Sequence, residues 1–530
     1  MVNDWLIYGT EKQCMDIKYI FDINIIGYSD NINIITENIV TKNGIILCGR
    51  AKDDIYTNYV EIYGKDRMMK DDELIESLNY SFGSIMDKKD IYIWGTGYWC
   101  DRFMEEERFL KQNITIKGYI DNLQEKKGGL KNGIEIYGKE ILNPKKNYVV
   151  VATDEIHFCE IQNDLRNIGY KDDEYIYFKN VIDDVAGMFR KVYECDTYYN
   201  VVCKNKDLAV RINNQGQVST CCMAYDSILG NVWWNSFEDI WKSKKAEITR
   251  LALENHTYVF CDKERCPFLS GNIVGKSALG KGYRKQKREY PESIAPEVDN
   301  TCNLTCTSCR KRIIYQENDY LEQWTDKIIR DIAILPVRLI INTVGEPFAS
   351  KYSKRIIYSR AVTHRHDISI YTNGTLLSKN VLNELLEMYD TVEFAISVDA
   401  YYKRTYNKIR KGGNFEKLMD NISEIMEQRR NGKVTYIQLN YVLQKDNISE
   451  MSKFIQWGTD IGVDCIAINA IENWGIFTEE EYRDVSIIQN GAIKEEYVMY
   501  FTHEILSNKL VNFHNISNYI DTEPKRMYMV

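Results

Sequence analysis

Short apolar runs alternate along the chain with polar stretches whose apolar positions recur at helical spacing, the signature of strands followed by helices. The pattern repeats itself near the N-terminus. WLIYGTEKQC (5–14) lies over IYIWGTGYWC (91–100), IIGYSDN (25–31) over IKGYIDN (116–122), and the apolar run GIILC (44–48) over YVVVA (148–152). The spacing predicts two Rossmann-like units in tandem, half A over 1–88 and half B over 89–182. From 183 to 275 the pattern changes to scattered cysteines, a hairpin around Asn213 to Gly216 and one amphipathic stretch, SFEDIWKSKKAEITRLALE. This predicts a small separate module. A basic run, KGYRKQKR, marks a linker over 276–289. Six apolar strands then alternate with helical segments between 290 and 475: SIAPEVD, VRLIINT, ISIYTN, VEFAISVD, TYIQLNYVL and CIAINA. Such alternation favours a parallel sheet. The expected fold is therefore α/β, with a partial (β/α)6 TIM-like barrel, a cysteine-rich module and tandem Rossmann-like units; 476–530 is expected to cap the barrel.

Length and composition agree with several soluble domains. At about 150 residues per domain, 530 residues allow three or four units, and 44% hydrophobic with 27% charged residues is a globular balance. The net charge of −9 argues against a broad phosphate-binding surface, so no nucleic-acid partner is expected. No apolar stretch reaches the roughly 18 residues of a membrane span, and the N-terminal MVNDWLIYGTEKQC has neither a basic leader nor a cleavage site. The expectation is a cytoplasmic protein without a membrane partner. In that compartment fourteen cysteines point to metal or cluster ligation rather than disulfides.

One cysteine group has chemistry written into its spacing. Cys302, Cys306 and Cys309 form C-x3-C-x2-C in NTCNLTCTSCR, a pattern that random placement of fourteen cysteines yields about 0.01 times. Three thiolates on one loop can hold three irons of a 4Fe-4S cube and leave the fourth open to a small molecule, as catalytic metal sites require. The loop follows the first predicted barrel strand, the end at which parallel β/α barrels carry their chemistry. With these cysteines, Gly345-Glu346-Pro347, Tyr371-Thr372-Asn373-Gly374, Ile396-Ser397-Val398-Asp399 and Arg410 in IRKGGNF, residues 290–475 resemble the radical S-adenosylmethionine (radical SAM) superfamily. The resemblance implies reductive cleavage of S-adenosylmethionine to a 5′-deoxyadenosyl radical that abstracts a substrate hydrogen. It implies cofactor contacts at Gly345, Glu346 (methionine amino group), Asn373, Ser397 and Arg410 (methionine carboxylate), and an electron donor such as a flavodoxin or ferredoxin. Ser308 departs from the aromatic residue usual before the third cysteine. The catalytic residues proper are left unassigned.

Cys203, Cys221, Cys222, Cys261 and Cys266 frame a segment that resembles a SPASM-type domain, although such domains usually follow the barrel. The resemblance implies one auxiliary 4Fe-4S cluster; four thiolates also suit zinc, and Cys195 can replace Cys203. In half B, Gly95, Gly97 and Asp121 form a partial dinucleotide fingerprint, with Cys100 at the third glycine position. Both nucleotide binding and a plain strand–helix turn remain open there. Cys14, Cys48, Cys100, Cys159 and Cys465 read as small core residues, and the six histidines form no metal-hydrolase spacing. The substrate is expected to be a small molecule or nucleotide-linked sugar. A peptide or protein side chain is the rival, and a non-catalytic metal-binding scaffold is an alternative of another class.

Overall fold

The structure is a computed structural model. It describes residues 4–520 apart from 22, 33–34, 36, 41, 50, 80–89, 106–114, 154, 172–173, 179–183, 197–208, 222–227, 264–265, 267–268, 270–288, 342–343 and 364–366. The chain is mixed α/β and divides into two compact units. The first comprises 1–196, 231–259 and 280–285; the second comprises 197–230, 260–279 and 286–530. The expected boundary between halves A and B, and nearly all of the basic linker, lie outside the described residues.

In the first unit, β1 (Asp4–Tyr8), β2 (Asn24–Ser29), β3 (Gly44–Leu47) and β4 (Met68–Lys70) form a parallel sheet in the order β2-β1-β3-β4. A second sheet holds β5 (Asp90–Trp94), β6 (Ile116–Ile120), β7 (Leu130–Lys131), β8 (Ile134–Tyr137), β9 (Asn147–Val151) and β10 (Tyr175–Tyr177) in the order β10-β9-β5-β6-β8-β7. The run β6-β5-β9-β10 reproduces β2-β1-β3-β4, so the sequence repeat is a structural one. Equivalent backbone bonds follow: Gly9 N–H donates to Ser29 O and Gly95 N–H to Ile120 O, each at 2.9 Å. The β7–β8 hairpin is an insertion that the repeat did not reveal. Strands β3 and β9 are buried at every position, as parallel strands covered on both faces must be. The amphipathic stretch after 236 breaks in two. Ser243 ends the helix Phe237–Lys242 and caps Lys244–Glu254, its hydroxyl accepting from Ala246 N.

The second unit is built on one ten-stranded sheet. Its central strands are β14 (Ser293–Pro296), β15 (Arg338–Ile341), β16 (Asp367–Thr372), β17 (Thr391–Ser397), β18 (Val434–Leu443) and β19 (Cys465–Ala470). They are the six read from the sequence, all parallel. The strands of the cysteine-rich segment, β11 (Ala209–Ile212), β12 (Gln217–Ser219) and β13 (Ile228–Asn231), extend this sheet. β11 pairs parallel with β14, and β12 returns antiparallel through the expected 213–216 turn. On the opposite side the short β20 (Val511–Asn512) pairs parallel with β19, and Asn515 bonds both backbone groups of Ala470. Because β14 to β19 are parallel, every segment leaving a carboxyl end emerges on one edge. That edge collects the cysteine loop, Gly345-Glu346-Pro347, Asn373 and Asp399.

Candidate active site

The cysteine loop is held on three sides by backbone bonds. Cys302 N–H donates to Ile314 O (2.9 Å), and Glu346 N–H donates to Thr301 O (2.8 Å). Thr305 N–H and Thr307 N–H donate to Lys411 O (2.9 Å) and Ile409 O (3.0 Å), which lays the loop along the segment carrying Arg410. Cys302 and Cys306 are each 8% exposed and pack around Leu304, whereas Cys309 is exposed.

Every sulfur faces an N–H donor. Arg310 aims Nε and Nη2 at Cys309 Sγ, both at 3.3 Å. Arg410 Nη1 stands 3.6 Å from Cys306 Sγ, and Asn373 Nδ2 stands 4.0 Å from Cys302 Sγ. Burial pushes the Cys302 and Cys306 thiols up, against the Leu304 N–H in the first case and Arg410 in the second.

Glu346 is completely buried. Its carboxylate accepts from Thr372 Oγ1 (2.8 Å), Asn373 N (2.7 Å) and Phe348 N (3.2 Å). Burial outweighs the opposing pull of these donors, and the pKa of Glu346 is raised from 4.5 to about 7. A carboxylate has roughly four lone-pair positions, so one is left for a further donor. Asn373 also bonds Asn303 Oδ1 at 3.0 Å, tying the carboxyl end of β16 to the loop. Arg410 Nε lies 2.7 Å from Asp399 Oδ2 without the alignment of a hydrogen bond. Burial works against the Arg410 charge, but Asp399 and Cys306 raise its pKa. Asp399 itself adopts φ +62 and accepts from Val442 N at 2.7 Å. Ser397 ends β17 opposite Asn440, and Gly345 leads into Glu346. The structure thus brings Glu346, Asn373 and Arg410 to the cysteine loop. The reading from sequence assigned no role to Arg310, Thr372 or Asp399, although all three stand in the quoted motifs.

Residues 297–458 match the family model of the radical SAM superfamily, and 203–267 match that of SPASM, an iron-sulfur cluster-binding domain. Residues 297–458 form a radical SAM superfamily domain. Residues 86–176 also match a family described as C2185-like, N-terminal. A probable GTP 3',8-cyclase of Methanococcus maripaludis (strain C5) is 25% identical over 233 residues, covering 43% of this chain and 73% of that one. The GTP 3',8-cyclase of Clostridium botulinum (strain Hall) is 27% identical over 164 residues, 30% of this chain and 50% of its own. Among solved structures, Streptococcus suis SuiB bound to S-adenosylmethionine aligns at 15% identity with a TM-score of 0.31, covering 43% of this chain and 52% of SuiB. The alignment spans about half of that chain.

As a radical SAM enzyme with a SPASM segment, the protein takes 4Fe-4S clusters and S-adenosylmethionine as cofactors, the SPASM cluster being auxiliary. The loop fits such a group. Three thiols facing two guanidinium groups and an amide suit anionic sulfur ligands, and buried Glu346 and Arg410 offer an acceptor and a donor for an amino acid's charged ends. Of the auxiliary candidates, Cys221, Cys261 and Cys266 belong to the second unit; Cys203 and Cys222 lie outside the described residues. Cys195 belongs to the first unit and faces Asp196 O at 3.4 Å. Among the described residues, no three or more His, Cys, Asp or Glu side chains converge as ligands of a single ion. Cys465 opens β19, at the end away from the loop. Cys14, Cys48 and Cys100 are buried, and burial pushes the thiols of Cys48 and Cys100 up to about 12.

In the first unit, Asp121 is 8% exposed. It accepts from Leu123 N (3.0 Å), Lys126 Nζ (2.9 Å) and the Thr96 hydroxyl. Burial raises its pKa, but these partners together hold it below the usual carboxylate range. Gly95 closes the β5–β9 contact, and Gly97 precedes the short helix Tyr98–Met104. No helix among the described residues is long and apolar enough to cross a membrane.

Proposed function

We propose that this protein cleaves S-adenosylmethionine reductively at the Cys302–Cys306–Cys309 loop and abstracts hydrogen from a small molecule or nucleotide-linked sugar. The observation that carries the reading is the three-thiol loop with a donor at each sulfur, beside a buried Glu346 and Arg410. When bound, the cluster and its cofactor supply the one-electron cleavage and the 5′-deoxyadenosyl radical. The chain's own task is placement. Glu346 would hold the cofactor's amino group, Arg410 its carboxylate, and Gly345, Asn373 and Ser397 would complete the contacts. Leu304, buried beside Cys302 and Cys306, keeps water from those two ligands.

The central strands are best read as a partial (β/α)6 barrel, and the first unit as a tandem Rossmann-like scaffold in which nucleotide binding at Gly95, Gly97 and Asp121 remains a proposal. A cavity of about 320 Å³ lies at the amino ends of β14–β18, away from the cysteine loop at their carboxyl ends, so the small-substrate reading rests on the first unit and not on this cavity. Its lining mixes apolar side chains with an ion-paired cluster: Arg338 pairs with Glu393 (3.0 Å) and Asp367 (3.4 Å), and Ser369 donates to Glu393 (2.6 Å). The SPASM match supports the rival, a peptide or protein side chain as substrate. Cytoplasmic residence, a flavodoxin or ferredoxin as electron donor, and the absence of nucleic-acid and membrane partners belong to the same proposal.

The test is anaerobic reconstitution, iron and sulfide quantification, and assay of 5′-deoxyadenosine after reduction. The comparison is with a Cys302→Ala, Cys306→Ala, Cys309→Ala variant. The expected result is deoxyadenosine from the wild type alone and roughly half of its iron in the variant, the rest belonging to the auxiliary set. Zinc without iron in the wild type would instead make the chain a non-catalytic scaffold.

A further inference from the structure

Arg310 directly follows the third cysteine and does two things at once. Nη1 donates to Asn300 O at 2.6 Å and Nη2 to Val344 O at 3.0 Å, joining the start of the loop to the turn before Glu346. The same guanidinium presents Nε and Nη2 to Cys309 Sγ at 3.3 Å each. Cys309 is the exposed member of the three, where water would otherwise solvate the sulfur. A planar fork fixed by two carbonyls cannot swing away from the sulfur as a lysine ammonium can.

We infer that Arg310 sets the reduction potential of the cluster bound at this loop, through its charge and its paired N–H bonds to the Cys309 sulfur. Hydrogen bonds to the sulfurs, net charge and solvent exposure are what tune iron-sulfur potentials. Reduction adds negative charge to the cluster, and a cation with two N–H groups on a ligand sulfur stabilises the reduced form. Arg310 therefore makes the cluster easier to reduce. It is a positioning residue, acting through Cys309 rather than on substrate.

The inference rests on the cluster reading, and the two fail differently. The measurement is an anaerobic redox titration of the reconstituted full chain followed by electron paramagnetic resonance. The cluster in question is the one whose signal changes on adding S-adenosylmethionine. In Arg310→Gln, which removes the charge, the expected result is wild-type iron content and a midpoint shifted to more negative potential. Signals insensitive to S-adenosylmethionine should stay put. Arg310→Lys keeps the charge without the fork and should fall between the two.

An unshifted midpoint with full iron in Arg310→Gln overturns the inference and leaves Arg310 as a brace for the loop. If Arg310→Gln does not retain iron, Arg310→Lys decides: a midpoint more negative than wild type supports the inference and a wild-type one overturns it. A wild type with no signal that responds to S-adenosylmethionine would sink the cluster reading itself.

Discussion

Glu346 carries the tension between burial and charge that the cofactor reading needs. With an ordinary value of 4.5 and a native value of about 7, the native state holds the extra proton between those limits. The stability this group contributes is therefore complete below about pH 4.5 and is lost as pH rises through about 7. Binding runs the other way. An ammonium group needs the carboxylate, so affinity for S-adenosylmethionine should rise from pH 6 to pH 8. In Glu346→Gln the affinity should be flat across that range and weaker by about ten- to a hundredfold, the worth of one hydrogen bond to a charged group. Anaerobic calorimetry at several pH values checks this, and parallel profiles for the two proteins would remove Glu346 from the contact. That the three cysteines, Glu346 and Arg410 gather at one end of the sheet was legible in the sequence, because each follows one of the predicted parallel strands. Arg310 and Thr372 stand at that end too, but their roles depend on where a guanidinium and a hydroxyl point, which spacing does not encode.

Between elements, the two glycines of the second sheet separate structure from candidate binding. A Cβ on Gly95 would stand 2.3 Å from Ala152 O, and its φ of +119 is closed to other residues. Gly97 meets nothing within 4 Å and has φ −93. Gly95→Ala should cost about 3 kcal/mol of stability, from strain and a backbone clash, and Gly97→Ala no more than about 0.5 kcal/mol. Urea denaturation distinguishes them; equal losses would mean that the β5–β9 contact is not what requires glycine. Elements of this kind were readable because each strand carries its own apolar run, as in IYIWG and YVVVA. Partnerships were not. That β11 adds to β14, and that Ser243 divides one amphipathic stretch into two helices, are outcomes of tertiary pairing and of a cap that a helical pattern conceals.

For the whole chain, domains read as consecutive segments and units that share a core are different partitions. Strands β11 to β13 continue the sheet of the second unit, while the helices Phe237–Lys242 and Lys244–Glu254, from the same SPASM-matching stretch, belong to the first. Within that unit Phe237, Ile240, Trp241, Ile248 and Leu251 are buried, and Lys244 Nζ reaches Ile20 O at 2.6 Å. Five such side chains at about 1.5–3 kcal/mol each match the whole stability of an ordinary domain. Residues 1–196 expressed alone should therefore unfold without a sharp transition and bind an apolar dye. The same residues joined through a flexible linker to 231–259 should recover cooperative unfolding. Calorimetry on the two fragments decides it. A sharp, reversible transition in 1–196 alone would show that the helix pair is an attachment and not part of the core. Its absence in both would mean that the first unit depends on more of the chain than its own contacts contain.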